Sequence, residues 1–174
     1  MNETVQNIYT RRSVRAFKAC RIPEELLRVI ADTARYAPSG MNRQEWKFTV
    51  VQNKVLIAKL AKAITNELDR EPDYNFYGAD AIVISSAPKD SRFAVEDCAC
   101  ALENMFLAAH SLGVGSVWIN QLKGICDVPE IRCILDELNI PGNYASFGIA
   151  ALGYAQDEPK GKVEKRSGII DYFL

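Results

Sequence analysis

The chain has 174 residues, 48% of them hydrophobic and 25% charged, with a formal net charge of −1. That length and mix suit one globular domain over residues 1–174 and exclude a disordered polyelectrolyte. The balanced charge supplies no overall field for nucleic acid or an anionic membrane, although Arg11, Arg12, Arg15, Lys18 and Arg21 crowd near one end and Lys160, Lys162, Lys165 and Arg166 near the other.

In chain order, a short first helix precedes Arg11. Pro23 opens a second helix with Glu24 and Glu25 in its first turn, where negative charge suits the helix dipole. Ile22, Leu26, Ile30 and Ala34 give it an apolar stripe, and Pro38-Ser39-Gly40 ends it in a loop. Trp46, Phe48 and Val50 alternate with Lys47, Thr49 and Val51 as a strand. Asn53 caps a helix carrying Leu56, Leu60, Ala63 and Ile64, and Tyr74–Gly78 is a turn. Ala81–Ser85 is a uniformly apolar strand, expected at the centre of a sheet. A long helix runs from about Asp90 or Ser91 to Leu112-Gly113, with Ala94, Cys98, Leu102, Met105, Ala109 and Leu112 as its stripe and further apolar residues on other faces. Val114–Ile119 is a strand, Pro129–Leu138 a helix and Phe147–Leu152 a strand. The tail, Ile169–Leu174, is apolar. About four strands interleaved with about five helices make an α/β or α+β sandwich. The apolar tail and the all-round apolar helix both predict a partner chain.

No apolar run is long enough to span a bilayer, and the polar stretch Met1–Tyr9 lacks a signal-peptide core. A cytoplasmic protein is the expectation, with no membrane partner and with reduced thiols at Cys20, Cys98, Cys100, Cys126 and Cys133. The single histidine, His110, leaves almost no ligand set for a metal and reads as structural. Three common sites are missing: a dinucleotide fingerprint, a Walker loop and a nucleophile elbow.

Two segments carry chemistry. In Arg11-Arg12-Ser13-Val14-Arg15, three guanidinium groups and a hydroxyl fall within five residues. Guanidinium pairs bidentately with phosphate oxygens, so this is a candidate phosphate cluster, although a solvated basic turn has the same composition. Pro38-Ser39-Gly40-Met41-Asn42-Arg43-Gln44-Glu45-Trp46 is a polar loop whose small residues admit close approach of a flat ligand. An ordinary helix-to-strand connection looks alike.

Taken in order, these pieces resemble the FMN-dependent nitroreductase family. The matching motifs are Arg11–Arg15, Ala37–Trp46, Ala109–Gly115 running into Trp118-Ile119, Ile140-Pro141-Gly142, Ile149–Tyr154 and the basic tail, which together cover essentially the whole chain. The resemblance implies an α+β fold: a three-layer α/β/α sandwich on a mixed sheet of about four strands, with a C-terminal strand exchanged between two subunits of a homodimer. It also implies FMN as cofactor and NAD(P)H as transient electron donor to a small electron-poor acceptor, such as a nitroaromatic or quinone, in ping-pong turnover. By the same resemblance, Arg11, Arg12, Ser13 and Arg15 hold the FMN phosphate and ribityl chain, with Arg166, together with Lys162 or Lys165, reaching it from the tail. Pro38, Ser39, Gly40 and Asn42 pack against the flavin of the other subunit. Asn66 hydrogen-bonds the ring, and the backbone near Asn120 and Gln121 meets its edge. No side chain is implied as catalytic acid or base.

Glu45 stands where many relatives have proline, Asn120-Gln121 replaces a glycine-containing turn, and 66–80 is short. Flavin fragmentation, reductive dehalogenation, or an FMN-binding module with little turnover are the alternatives.

Overall fold

The computed structural model describes residues 2–157 and 167–174. In chain order the elements are α1 (Glu3–Thr10), α2 (Glu24–Asp32), β1 (Lys47–Val51), α3 (Lys54–Leu68), β2 (Ala81–Pro88), α4 (Ala94–Ser111), β3 (Gly115–Ile119), α5 (Pro129–Glu137) and β4 (Tyr144–Gly153). Short 3-10 turns cover Thr33–Tyr36, Gly40–Asn42 and Phe76–Gly78.

Local signals set the helix starts. Asn2 Oδ1 accepts from Val5 N at 3.0 Å to begin α1, and Asn53 Oδ1 accepts from Val55 N at 2.9 Å to begin α3. Of the stripe expected on α2, Ile22, Ile30 and Ala34 are buried and Leu26 partly so, and Leu27 joins them in the same core. In α4 the buried set is Ala94, Asp97, Cys98, Ala101, Leu102, Met105, Phe106 and Ala109, a wide arc that includes one carboxylate.

The sheet order is β1-β2-β4-β3. Side chains alternate across the two central strands. Ala81, Val83, Ala150 and Leu152 face one core with α2 and α4, whereas Ile82, Ile84, Ile149 and Ala151 face the other with α3 and α5. Both faces are covered, which is why the central strands read as continuous apolar runs and why the architecture is the expected three-layer α+β sandwich.

The expected mixed sheet needs one correction. All three ladders are antiparallel, and among the described residues the parallel pairing is the isolated bridge between Ser13 and Ser116. The connection after α3 explains the direction. The 15 residues of α3 rise about 22 Å, while residues 69–80 can return a longer distance as extended chain. β2 therefore starts where β1 ended, with Val51 opposite Ile82.

That corner is fastened by Asp80, which is 3% exposed. Its carboxylate accepts from Ile22 N at 2.8 Å and Gln52 Nε2 at 2.7 Å, and pairs with Lys54 Nζ at 3.0 Å. Burial pushes its pKa up, but these hydrogen bonds and the Lys54 charge outweigh burial and hold the carboxyl below its ordinary value.

Residues 169–174 have no regular structure, and Ile169, Ile170, Tyr172, Phe173 and Leu174 are exposed. No described helix is long and apolar enough to cross a membrane.

Candidate functional site

The segment that follows α1 lies as a strap along one end of the sheet. Val14 N donates to Ser116 O at 2.9 Å, Lys18 N to Tyr154 O at 2.8 Å, and Gln156 N to Ala16 O at 2.9 Å. Two glycines permit this approach. A Cβ on Gly115 would meet Val14 Cγ2 at 2.9 Å, and one on Gly153 would meet the Phe17 ring at 2.7 Å. The strap thus holds Arg11, Arg12, Ser13 and Arg15 beside edge strand β3. Ser13 and Arg15 are exposed, and Arg11 and Arg12 half-buried.

Arg11 is not wholly available for an anion. Its Nε lies 3.3 Å from Glu103 Oε1 on α4, a half-exposed pair contributing about 0–1 kcal/mol. An incoming dianion can compete with a bond of that size. His110 lies behind this corner, with Nε2 2.8 Å from Thr10 Oγ1. Burial and the Arg11 charge lower its pKa, so the structural reading of this histidine fits its surroundings.

Asn120 and Gln121 follow directly from β3, at the same sheet edge as the strap. Asn120 is exposed, whereas Gln121 Oε1 is buried without a hydrogen-bond partner. Leaving such an atom unpaired costs about 1–3 kcal/mol. A ligand N–H would satisfy it.

The Pro38–Trp46 loop lies elsewhere. It leads into β1, the opposite edge strand, three strand spacings or about 14 Å across the sheet from β3. One chain therefore does not bring Ser39–Asn42 and Arg11–Arg15 together across its sheet. The loop has an unusual backbone: Met41, Asn42 and Gln44 have φ of 54°, 55° and 54°. Left-handed conformations on non-glycine residues cost about 1–3 kcal/mol each and persist only when the surroundings hold them. Here Gln44 N donates to Ser39 Oγ at 3.1 Å, Gly40 N to Asp97 Oδ1 at 2.8 Å, and Ser91 Oγ to Glu45 Oε2 at 2.8 Å. Asp97 belongs to none of the sequence motifs. Its signal was a carboxylate set among Ala94, Cys98 and Ala101 on an apolar helix face.

Asn66 is exposed near the end of α3. The chain returns from there through Tyr77, whose carbonyl accepts from Phe17 N at 3.3 Å on the strap. Lys162, Lys165 and Arg166 lie outside the described residues. The buried thiols offer no nucleophile: burial pushes Cys98 up to about 11 and also raises Cys126. Among the described residues no cluster of His, Cys, Asp and Glu could hold a metal.

Fold and site together define an α+β sandwich with a basic strap on one sheet edge and a strained polar loop at the other. A family model described as the Nitroreductase family matches residues 8–154. The chain is 36% identical over 163 residues to a protein of Archaeoglobus fulgidus provisionally named NADH dehydrogenase/NAD(P)H nitroreductase, covering 91% of this chain and 88% of that one. It is 39% identical to a nitroreductase from Bacteroides fragilis solved with bound FMN, with a TM-score of 0.89 over 99% of this chain and 100% of the other. An iodotyrosine deiodinase of Thermotoga neapolitana is 25% identical over 181 residues, 93% of each chain. The chain belongs to the nitroreductase family.

Proposed function

We propose that this protein is a homodimeric FMN oxidoreductase that passes electrons from NAD(P)H to a small electron-poor acceptor. The observation that carries the reading is the separation of the two site segments to opposite sheet edges. Each is half of a flavin site, and a second copy supplies the other half. The residues present fit the cofactor. Guanidinium groups of the strap and the Ser13 hydroxyl suit a phosphate, and the unpaired Gln121 Oε1 suits a ring N–H.

When bound, FMN supplies the hydride and electron chemistry. Arg12, Ser13 and Arg15 anchor its phosphate and ribityl chain, and Arg11 contributes by sharing its charge with Glu103. Lys165 and Arg166, with Lys162 beside them, add positive charge from the tail. Asn120, Gln121 and Asn66 orient the ring. Pro38, Ser39, Gly40 and Asn42 pack against the ring held by the partner subunit. Arg15, where its guanidinium reaches toward the pyrimidine side of the ring, would also favour negative charge there. Solvent supplies the proton, so His110 is free to remain in its contact with Thr10. With donor and acceptor admitted to the same site in turn, turnover would follow ping-pong kinetics.

The tail completes the dimer in this reading. β1 is an edge strand flanked by a groove of about 780 Å³ that includes Trp46, Phe48, Val50 and Tyr36. Ile169–Phe173 of a second copy pairs with such an edge and covers its apolar side chains.

The test begins with the absorption spectrum of the purified protein after incubation with FMN. A yellow dimer, bleached anaerobically by NADH or NADPH and reoxidised by a quinone or nitroarene, supports the reading. Failure to retain FMN refutes it, and a yellow protein that neither donor bleaches leaves a binding module. The deiodinase relative makes reductive dehalogenation the second reading. Iodide release from iodotyrosine by the reduced protein, faster than quinone turnover, selects it.

A further inference from the structure

The loop between α2 and β1 is a small strained object held at one end by α4 and at the other by the turn that leads into α4. Its three left-handed residues, Met41, Asn42 and Gln44, are all exposed, and Met41 is 78% exposed. No burial of their side chains maintains the shape. Hydrogen bonds inside the loop hold part of it: Asn42 N donates to Ser39 O at 3.0 Å, Arg43 N to Gly40 O at 3.2 Å, and Gln44 Nε2 to Asn42 Oδ1 at 2.6 Å. The remaining restraints come from the start of α4. Asp97, buried in its first turns, accepts from Gly40 N, and the ring of Phe93 presses against Gly40 so closely that any Cβ there would collide with it. At the other end, half-buried Glu45 accepts from Ser91 Oγ.

We infer that Asp97 and Glu45 are positioning residues, fastening Ser39–Gln44 from both sides so that this strained loop is presented in one fixed shape to the flavin of the partner subunit. The inference rests on the flavin-site reading above, but concerns residues that touch no cofactor. A loop that merely joined a helix to a strand would gain nothing from three strained residues, because relaxed turns of the same length exist. Strain retained on an exposed surface is what a preformed binding surface needs: the loop loses little freedom when it meets its ligand. Removing one fastening releases the strain into an ensemble of relaxed loops.

Arg43, exposed inside the loop, supplies a readout independent of FMN. Trypsin should cut after Arg43 slowly in the wild-type apoprotein and at least about tenfold faster in Asp97→Ala and Glu45→Ala, because cleavage tracks the opened population. Asp97→Asn and Glu45→Gln keep an acceptor oxygen and should restore resistance. In the FMN-loaded dimer, the alanine variants should lose on the order of tenfold in FMN affinity, with a shifted visible spectrum, and the amide variants should recover both. Should Asp97→Ala fail to fold, Glu45→Ala and Ser91→Ala carry the same test from the other end. Unchanged tryptic cleavage at Arg43 in these variants, or unchanged affinity and spectrum despite faster cleavage, overturns the inference. A wild-type protein that does not bind FMN overturns instead the reading on which it rests.

Discussion

Gly115→Ala tests whether strap and sheet act as one binding surface. The new methyl carbon would sit 2.9 Å from Val14 Cγ2, 3.1 Å from Val14 Cβ and 3.0 Å from Gly153 O. Carbon pairs prefer about 3.5–4.0 Å, so the strap must retreat by roughly 0.5–1 Å. Its hydrogen bond from Val14 N to Ser116 O, now 2.9 Å, then stretches beyond useful range. Overpacking of this kind costs about 1–3 kcal/mol. Near 2 kcal/mol, the melting temperature of a chain this long falls by about 4–8 °C. In the proposed site the same displacement would move Ser13 and Arg15 off the phosphate, and about 1.4 kcal/mol lost there would weaken FMN binding tenfold. Differential scanning fluorimetry of the apoprotein reads the first effect, and titration of FMN fluorescence quenching reads the second. Gly142→Ala is the control, since a Cβ there meets nothing within 4 Å. If Gly115→Ala melts within about 1 °C of wild type and binds FMN as tightly, the strap is not a rigid part of the site.

Arg12→Ala combined with Arg15→Ala should give a folded dimer that purifies colourless; stoichiometric flavin in that variant would remove the phosphate assignment. Asp80→Ala should destabilise by about 2–4 kcal/mol, because Ile22 N–H and Lys54 lose a buried acceptor. The Asp80 carboxyl is held below its ordinary value, so its stabilisation is complete at neutral pH. That contribution disappears as pH falls below about 4 and through the lowered folded value. Asp80→Asn should flatten that acid limb in urea melts run from pH 6 to 3, and an unaltered limb would assign it to other carboxylates. Deleting residues 169–174 should raise the dimer dissociation constant at least about tenfold by sedimentation; an unchanged profile would place the tail outside the interface.

The sequence by itself determined the parts whose causes are local. Asn53 caps α3 and Pro23 opens α2, as their residue types predict. The apolar runs Ala81–Ser85 and Phe147–Leu152 belong to the two central strands, because only a strand covered on both faces has no polar alternation. Arg11–Arg15 stands out as a candidate phosphate cluster from residue type alone, because guanidinium chemistry is written there.

Tertiary structure alone decided how those parts meet. The antiparallel direction of β2 came from the return of residues 69–80, and the distance between strap and loop came from strand order. Neither leaves a pattern in neighbouring residues. Asp97 reaches Gly40 across 57 positions, and Asp80 reaches Ile22 across 58. Such contacts satisfy buried donors that are neighbours only after the chain has folded, so no local periodicity can announce them.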